Sequence, residues 1–348
     1  MKGVPTPVPT TRPPTPESHA TIGRLDRYGP DADPGAAPPS EAEALDHVRR
    51  LATGHYENFS VLSRLVPEDL RDDFAAVYAY CRWSDDLADE TGAGDEARAR
   101  SLELLRWWRG ELDRCFAFAH SETDAESPRH PVFITLAATI RRRELPPEPF
   151  HHLLDAFEQD QRITRYQTWD ELLAYCRGSA DPVGRLVLAL GGHRLDDPAN
   201  AERIAMSDAT CTALQLTNFW QDVRRDLFER DRVYMPFEET NLDADTLRDF
   251  AARPNDPEAR IPFIRAMRPL TERTRELFIK GRPLPQSLDA RLRPVVWLFG
   301  AGGESVLTSI ERMGGATLWT RPRLPRSRKL LLVMRASLLR MRTSGGAS

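Results

Sequence analysis

Two rows of oxygen-bearing side chains, each at helical spacing, carry the chemistry of this 348-residue chain. The first is Asp85, Asp86 and Asp89. Just before it, Leu70, Phe74, Val77, Tyr78 and Cys81 recur at three- and four-residue steps, the spacing of one helix face. At 3.6 residues per turn, Asp85 continues nearly in line with that apolar stripe and Asp89 falls at its edge. A carboxylate that continues a core face needs a partner, because burying an unpaired anion is very costly. The second row is Asn218, Asp222 and Asp226, stepping by four, with Gln215 seven before Asp222 on the same row. An apolar stripe of Leu216, Phe219, Trp220, Val223 and Leu227 runs beside it.

Oxygen donors without His or Cys suit a hard cation, and Mg²⁺ is the usual one where phosphate is the substrate. Two facing helices bearing these rows could hold a cluster of about two or three Mg²⁺ ions, neutralise a diphosphate and help it leave. That is metal-assisted ionisation of an allylic diphosphate, with the protein supplying charge and a dry, shaped cavity. Each row alone has a plainer explanation. An acidic helix surface is common, and the second row could be a solvated face pairing with Arg224 and Arg225. Both rows in one chain, each beside an aromatic-rich apolar face, favour the site.

The elements that must position these rows are helices. Residues 1–40 hold ten of the 28 prolines and few large apolar residues, the composition of a disordered tail. Three- and four-residue apolar recurrence then predicts helices near 41–53, 67–90, 95–119, 131–143, 147–160, 169–190, 199–230, 257–280, 286–313 and 325–342. Breaks fall at Pro and Gly, among them Pro67, Pro128, Asp181-Pro182, Gly191-Gly192 and Pro236. No alternating strand pattern or fixed-period repeat is visible. The expectation is one all-α domain over 41–342, a helical bundle around a central cavity, with a short disordered tail at 343–348.

Composition narrows the function classes. A net charge of −4 and a pI near 6.1 give no argument for nucleic acid. Cys81, Cys115, Cys176 and Cys211 are widely spaced without metal-ligand patterns, so buried free thiols in a reducing compartment are expected. No apolar run is long enough for a transmembrane span, and the N-terminus lacks an apolar signal core, which together predict a cytoplasmic protein. Residues 321–342 carry eight Lys/Arg and no acid, interleaved with leucines. Two readings stay open there: a terminal helix packing its leucines on the domain, or peripheral contact with the anionic cytoplasmic membrane face. The glycine pattern Gly300-Ala-Gly302-Gly303 lacks a third spaced glycine and a strand–helix frame, so it reads as a kink or a close helix contact and no NADPH site is expected.

Four motifs in order give a resemblance. His55 to Phe59, Tyr78 with Arg82 and Asp85-Asp86-Asp89, Tyr175 through Gly178 to Gly184, and Gln215 through Asp226 followed by Arg232-Val-Tyr234-Met-Pro236 resemble the squalene/phytoene synthase family over about residues 46–340. Ser179-Ala-Asp-Pro-Val-Gly184 and Asn218-Phe-Trp-Gln-Asp222 are most similar to its hydroxysqualene synthase branch. Gln221, where many relatives have a basic residue, and Pro182, in place of a small flexible one, depart from the wider family pattern.

The resemblance implies an isoprenoid synthase acting on a prenyl diphosphate. Asp85, Asp86, Asp89, Asn218, Asp222 and Asp226 would be the Mg²⁺ ligands, with Asp86 direct or one shell out. Arg82 and Arg232 would bind diphosphate oxygens, and Gln215 and Asn218 would sit beside them. Phe59, Val183 and Leu186 would line the prenyl cavity, with Phe219 and Trp220 adding to its wall. Tyr78, Tyr175 and Tyr234 would steady cationic charge or orient water, ordinary aromatic packing being the alternative. The branch implies presqualene diphosphate as substrate and water as the capturing group, with a presqualene diphosphate synthase and a hydroxysqualene reductase as pathway partners. Condensation of two farnesyl or geranylgeranyl diphosphates is the enzymatic alternative, and a helical docking scaffold the non-enzymatic one.

Overall fold

The computed structural model describes residues 22–54, 65–92, 94–121 and 126–344. Its long helices are α1 (Glu41–Gly54), α2 (Arg71–Asp89), α3 (Asp95–His120), α4 (Pro131–Arg143), α5 (Glu148–Asp160), α6 (Trp169–Ser179), α7 (Asp181–Leu190), α8 (Ala201–Glu229), α9 (Ala244–Ala252), α10 (Pro257–Gly281), α11 (Arg293–Arg312) and α12 (Arg326–Ser344). Among the described residues the only strand-like pairing is an isolated bridge between Arg165 and Val233. The all-α expectation holds.

Local sequence sets the boundaries. Thr168 accepts from the Glu171 amide and the Glu171 carboxylate accepts from the Thr168 amide, a capping box that starts α6. Asp243 and Asp256 cap α9 and α10, the latter with Pro257 in the first turn. The single segment expected at 169–190 is two helices, because the chain bends at Ala180 and restarts at Asp181-Pro182. Pro182 sits in the first turn of α7, where a missing N–H costs nothing. α11 begins at Arg293 rather than 286, because Leu284–Ser287 forms a separate single helical turn that ends at Leu288.

The apolar stripes build two cores. One joins α1 to α5 with α7 and the start of α11, around fully buried Tyr80, Trp83, Trp108, Phe133 and Phe150. Trp83 and Trp108 stack at 5.5 Å, and the His130 ring meets their faces edge-on at 4.4 and 4.8 Å. The other joins α6, α8, α10 and α11 around Trp220, Leu216 and Phe263. Gly184 and Gly303 allow close helix contact: a Cβ on Gly184 would strike Ser207 and Cys211 of α8, and one on Gly303 would strike Leu214 and Phe278. Within the 300–303 glycine pattern it is Gly303 that makes a close helix contact, while Gly302 faces open space.

The expected tail needs correction in part. Residues 22–40 are placed on the domain: Leu25 and Tyr28 pack on the first core, and Arg129 donates to the Pro34 carbonyl at 2.8 Å. A few apolar side chains and two arginines, Arg129 and Arg100 (the latter 3.3 Å from Asp31), hold a proline-rich segment that periodicity alone cannot detect. Residues 1–21 lie outside the described residues. At the other end α12 continues to Ser344, two residues past the expected boundary.

Candidate active site

The two acid rows end two helices. Asp86 and Asp89 lie in the last turn of α2, and Asp226 in the last turn of α8. Helix C-termini carry partial negative charge, so carboxylates there are disfavoured twice, by the dipole and by burial. Neither terminal turn contains a basic residue of its own.

Arginines supply the opposing charge. Arg230, just past α8, contacts Asp89 at 2.9 Å and Asp226 at 3.8 Å, so one guanidinium joins both rows. Arg232 contacts Asp89 at 3.1 Å and Asp160 at 3.7 Å. Arg82 contacts Asp86, Asp85 at 3.4 Å and Glu90 at 3.3 Å. Arg321 forks onto both oxygens of Asp222, its Nη2 at 3.0 Å. Among the described residues seven carboxylates thus face four guanidiniums, a formal excess of acid.

Burial first, and neighbouring acid second, raises several of these carboxyls. Lost hydration and then the charge of Asp89 push Asp85 up to about 6, against the pull of Arg82. Burial lifts Asp226 to about 7, and Arg230 only partly offsets it. Burial, with Asp86 next, lifts Glu90 to about 7.

The segment after α8 is held by backbone. The Arg232 amide donates to the Asp226 carbonyl at 2.9 Å, and the Val233 amide to the Thr164 carbonyl at 2.9 Å. Pinning 232–235 along 164–166 brings Tyr234 onto Phe219, rings 3.8 Å apart and 8° from parallel. Tyr175 and Tyr166 stand 5.8 Å from Tyr234 on the same cluster. A narrow cleft lined by Phe219, Val223, Asp226, Arg232 and Tyr234 opens beside the acids. Below it Tyr175 donates to Asp160 Oδ2 at 2.7 Å, while Asp160 Oδ1 is buried with no hydrogen-bond partner. Burial lifts Asp160 to about 7 despite Arg232 and Tyr175.

The structure therefore gathers Arg82, Asp85, Asp86, Asp89, Asp222, Asp226 and Arg232 along one polar seam, with Tyr175, Tyr234 and Phe219 at its apolar edge. Tyr78 is half-buried one turn before Arg82. Asn218 is exposed and Gln215 half-buried on the α8 row. Three cavity residues stand differently. Val183 is 40% exposed, Leu186 is fully buried in the first core, and Trp220 is fully buried with its indole N–H on Thr274 at 2.8 Å. Leu186 and Trp220 are packed between helices. Phe59 lies outside the described residues. Gln221, a departure in sequence, donates to the Pro322 carbonyl at 2.7 Å, so it fastens the segment whose Arg321 holds Asp222.

Arg230 and Asp160 join this seam although the motifs did not flag them. Arg230 stands four after Asp226, a helical step that was readable. Asp160 had no local signal, because its partners are distant in sequence.

Residues 52–328 match the family model described as squalene/phytoene synthase. The chain belongs to the squalene/phytoene synthase family. It is 30% identical to the hydroxysqualene synthase of Rhodopseudomonas palustris, over 77% of this chain and 84% of that protein. It is 34% identical to the phytoene synthase of Thermus thermophilus, over 54% and 58% of the two chains. Among solved structures it is similar to the squalene synthase HpnC of Alicyclobacillus acidocaldarius, with 39% identity, a TM-score of 0.63, and coverage of 79% of this chain and 95% of the other. The chain is thus an enzyme of the squalene/phytoene synthase type.

A divalent cation fits the donor set of this family member. The donors are oxygen only, the seam holds a formal excess of acid, and Arg230 already places positive charge between the rows. Among the described residues no three acid, His or Cys side chains are drawn together as a finished coordination shell. The carboxylates are turned to guanidiniums instead.

Proposed function

We propose that the chain is a hydroxysqualene synthase, ionising presqualene diphosphate with Mg²⁺ and capturing the rearranged carbocation with water. The observation that carries this reading is its similarity to hydroxysqualene synthase and HpnC over most of both chains, combined with two acid rows joined by one guanidinium. Phytoene synthases are also similar, so condensation of two prenyl diphosphates is the second reading.

Asp85, Asp89, Asn218, Asp222 and Asp226 would hold the ions, with Asp86 a ligand or one shell out. Mg²⁺ when bound neutralises diphosphate and makes it a better leaving group. Arg82, Arg230 and Arg232 then have work of their own. Each guanidinium would turn from carboxylate to diphosphate oxygen, the exchange that planar donors suit. The Phe219–Tyr234–Tyr175 cluster keeps bulk water away from the apolar edge and offers ring faces to a cation. Tyr175, fixed by Asp160, is the hydroxyl best held to orient a capturing water.

The experiment is incubation with presqualene diphosphate and Mg²⁺ in the absence of NADPH. Release of hydroxysqualene supports the first reading. Product only from paired farnesyl or geranylgeranyl diphosphate supports the second.

A further inference from the structure

α12 packs on α11 through Leu332, 6% exposed, and Ala336, fully buried. Its opposite face is also apolar. Leu330, Leu331, Met334 and Leu338 are 61%, 39%, 53% and 51% exposed. At about 100° per residue these four fall within roughly a third of the helix circumference, directly away from Leu332 and Ala336. Single exposed apolar side chains such as Ile163 or Ile261 are ordinary on a protein surface. Four along one helix face form a patch that marks a binding surface.

Charge identifies what covers the patch. The stripe is flanked by exposed Arg326 on one side and exposed Arg335 on the other. α12 contains no acidic residue, in a chain whose net charge is −4. A second copy docking by the same face would bring like charges together. An anionic lipid surface takes up the leucines and pairs with the arginines, the two contributions that peripheral helices combine. No helix among the described residues is long and apolar enough to cross a membrane, so the contact lies in the interface plane.

We propose that α12 docks this protein on an anionic phospholipid surface through Leu330, Leu331, Met334 and Leu338, with Arg326 and Arg335 on lipid phosphates. The helix is tethered to the acid row: Arg321 and Pro322, shortly before it, are held by Asp222 and Gln221 of α8. This segment therefore connects the docking helix to the acid row. The inference stands on the exposed face alone and does not need the proposed reaction.

The test is sedimentation of the full chain with vesicles of phosphatidylcholine alone or mixed with phosphatidylglycerol. The parent is expected to bind the mixed vesicles, less as salt is raised. Replacing all four stripe residues by Gln is expected to weaken binding at least about 100-fold. Arg326→Gln with Arg335→Gln is expected to weaken it about tenfold and flatten the salt dependence. Both variants alter outward side chains, so their melting curves and their turnover of detergent-dispersed substrate should match the parent. Equal sedimentation with and without phosphatidylglycerol, or a four-residue variant that binds like the parent, overturns the proposal. So does a parent dimer that this variant converts to monomer without any effect on lipid binding.

Discussion

Asp89 and Asp226, 137 positions apart in the chain, share one guanidinium: Arg230 reaches the first at 2.9 Å and the second at 3.8 Å. Two helices that end in buried acid are brought end to end by a residue belonging to neither row. The relationship costs stability, since each carboxylate sits at the negative end of its helix.

Asp226→Asn separates function from fold. Diphosphate release is expected to fall at least about 100-fold, as for loss of a group at a metal site. Removing a carboxylate lifted to about 7 relieves the folded state, so the melting temperature above neutral pH should hold or rise. Paired kinetics and calorimetry check both signs.

Arg232→Ala should damage the fold. It is 7% exposed and pairs with both Asp89 and Asp160, so its loss takes the guanidinium away from buried Asp160 and leaves Asp89 to Arg230. Breaking a buried pair from one side costs about 3–5 kcal/mol, readable as a lower urea midpoint.

Asp160 gives a pH signature. An acid whose folded pKa is raised binds its proton more tightly folded than unfolded. Between the ordinary 3.8 and about 7 the folded state therefore carries the extra proton, and stability falls as pH rises through that window. Outside it the contribution is level. Asp160→Asn should flatten this slope, by about 1 kcal/mol or more across the window, in urea midpoints measured from pH 4.5 to 8.

Gly184→Ala tests the packing that aligns α7 with α8. The added methyl meets Ser207 and Cys211, and an overfilled contact costs about 1–3 kcal/mol. Lower stability with altered activity is expected, because the same helix α8 carries Asp222 and Asp226.

The acid rows were legible because a helical step of four is visible in one dimension, and so was the all-α architecture. The rest depended on contacts that periodicity does not encode. Leu186 and Trp220 stand beside the motifs, but their partners, the first core for Leu186 and Thr274 of α10 for Trp220, are not encoded in local spacing. Asp160 meets Tyr175 and Arg232 only after α5, α6 and the segment past α8 converge. Residues 22–40 lack periodicity but are anchored by Tyr28 and by Arg129.

Product identification with presqualene diphosphate and Mg²⁺, without NADPH, tests the central claim most directly. The expected result is hydroxysqualene by mass spectrometry, one diphosphate released per molecule, and loss of both in Asp89→Asn and Asp226→Asn. Unchanged presqualene diphosphate, in a preparation that instead condenses two farnesyl or geranylgeranyl diphosphates, would contradict it.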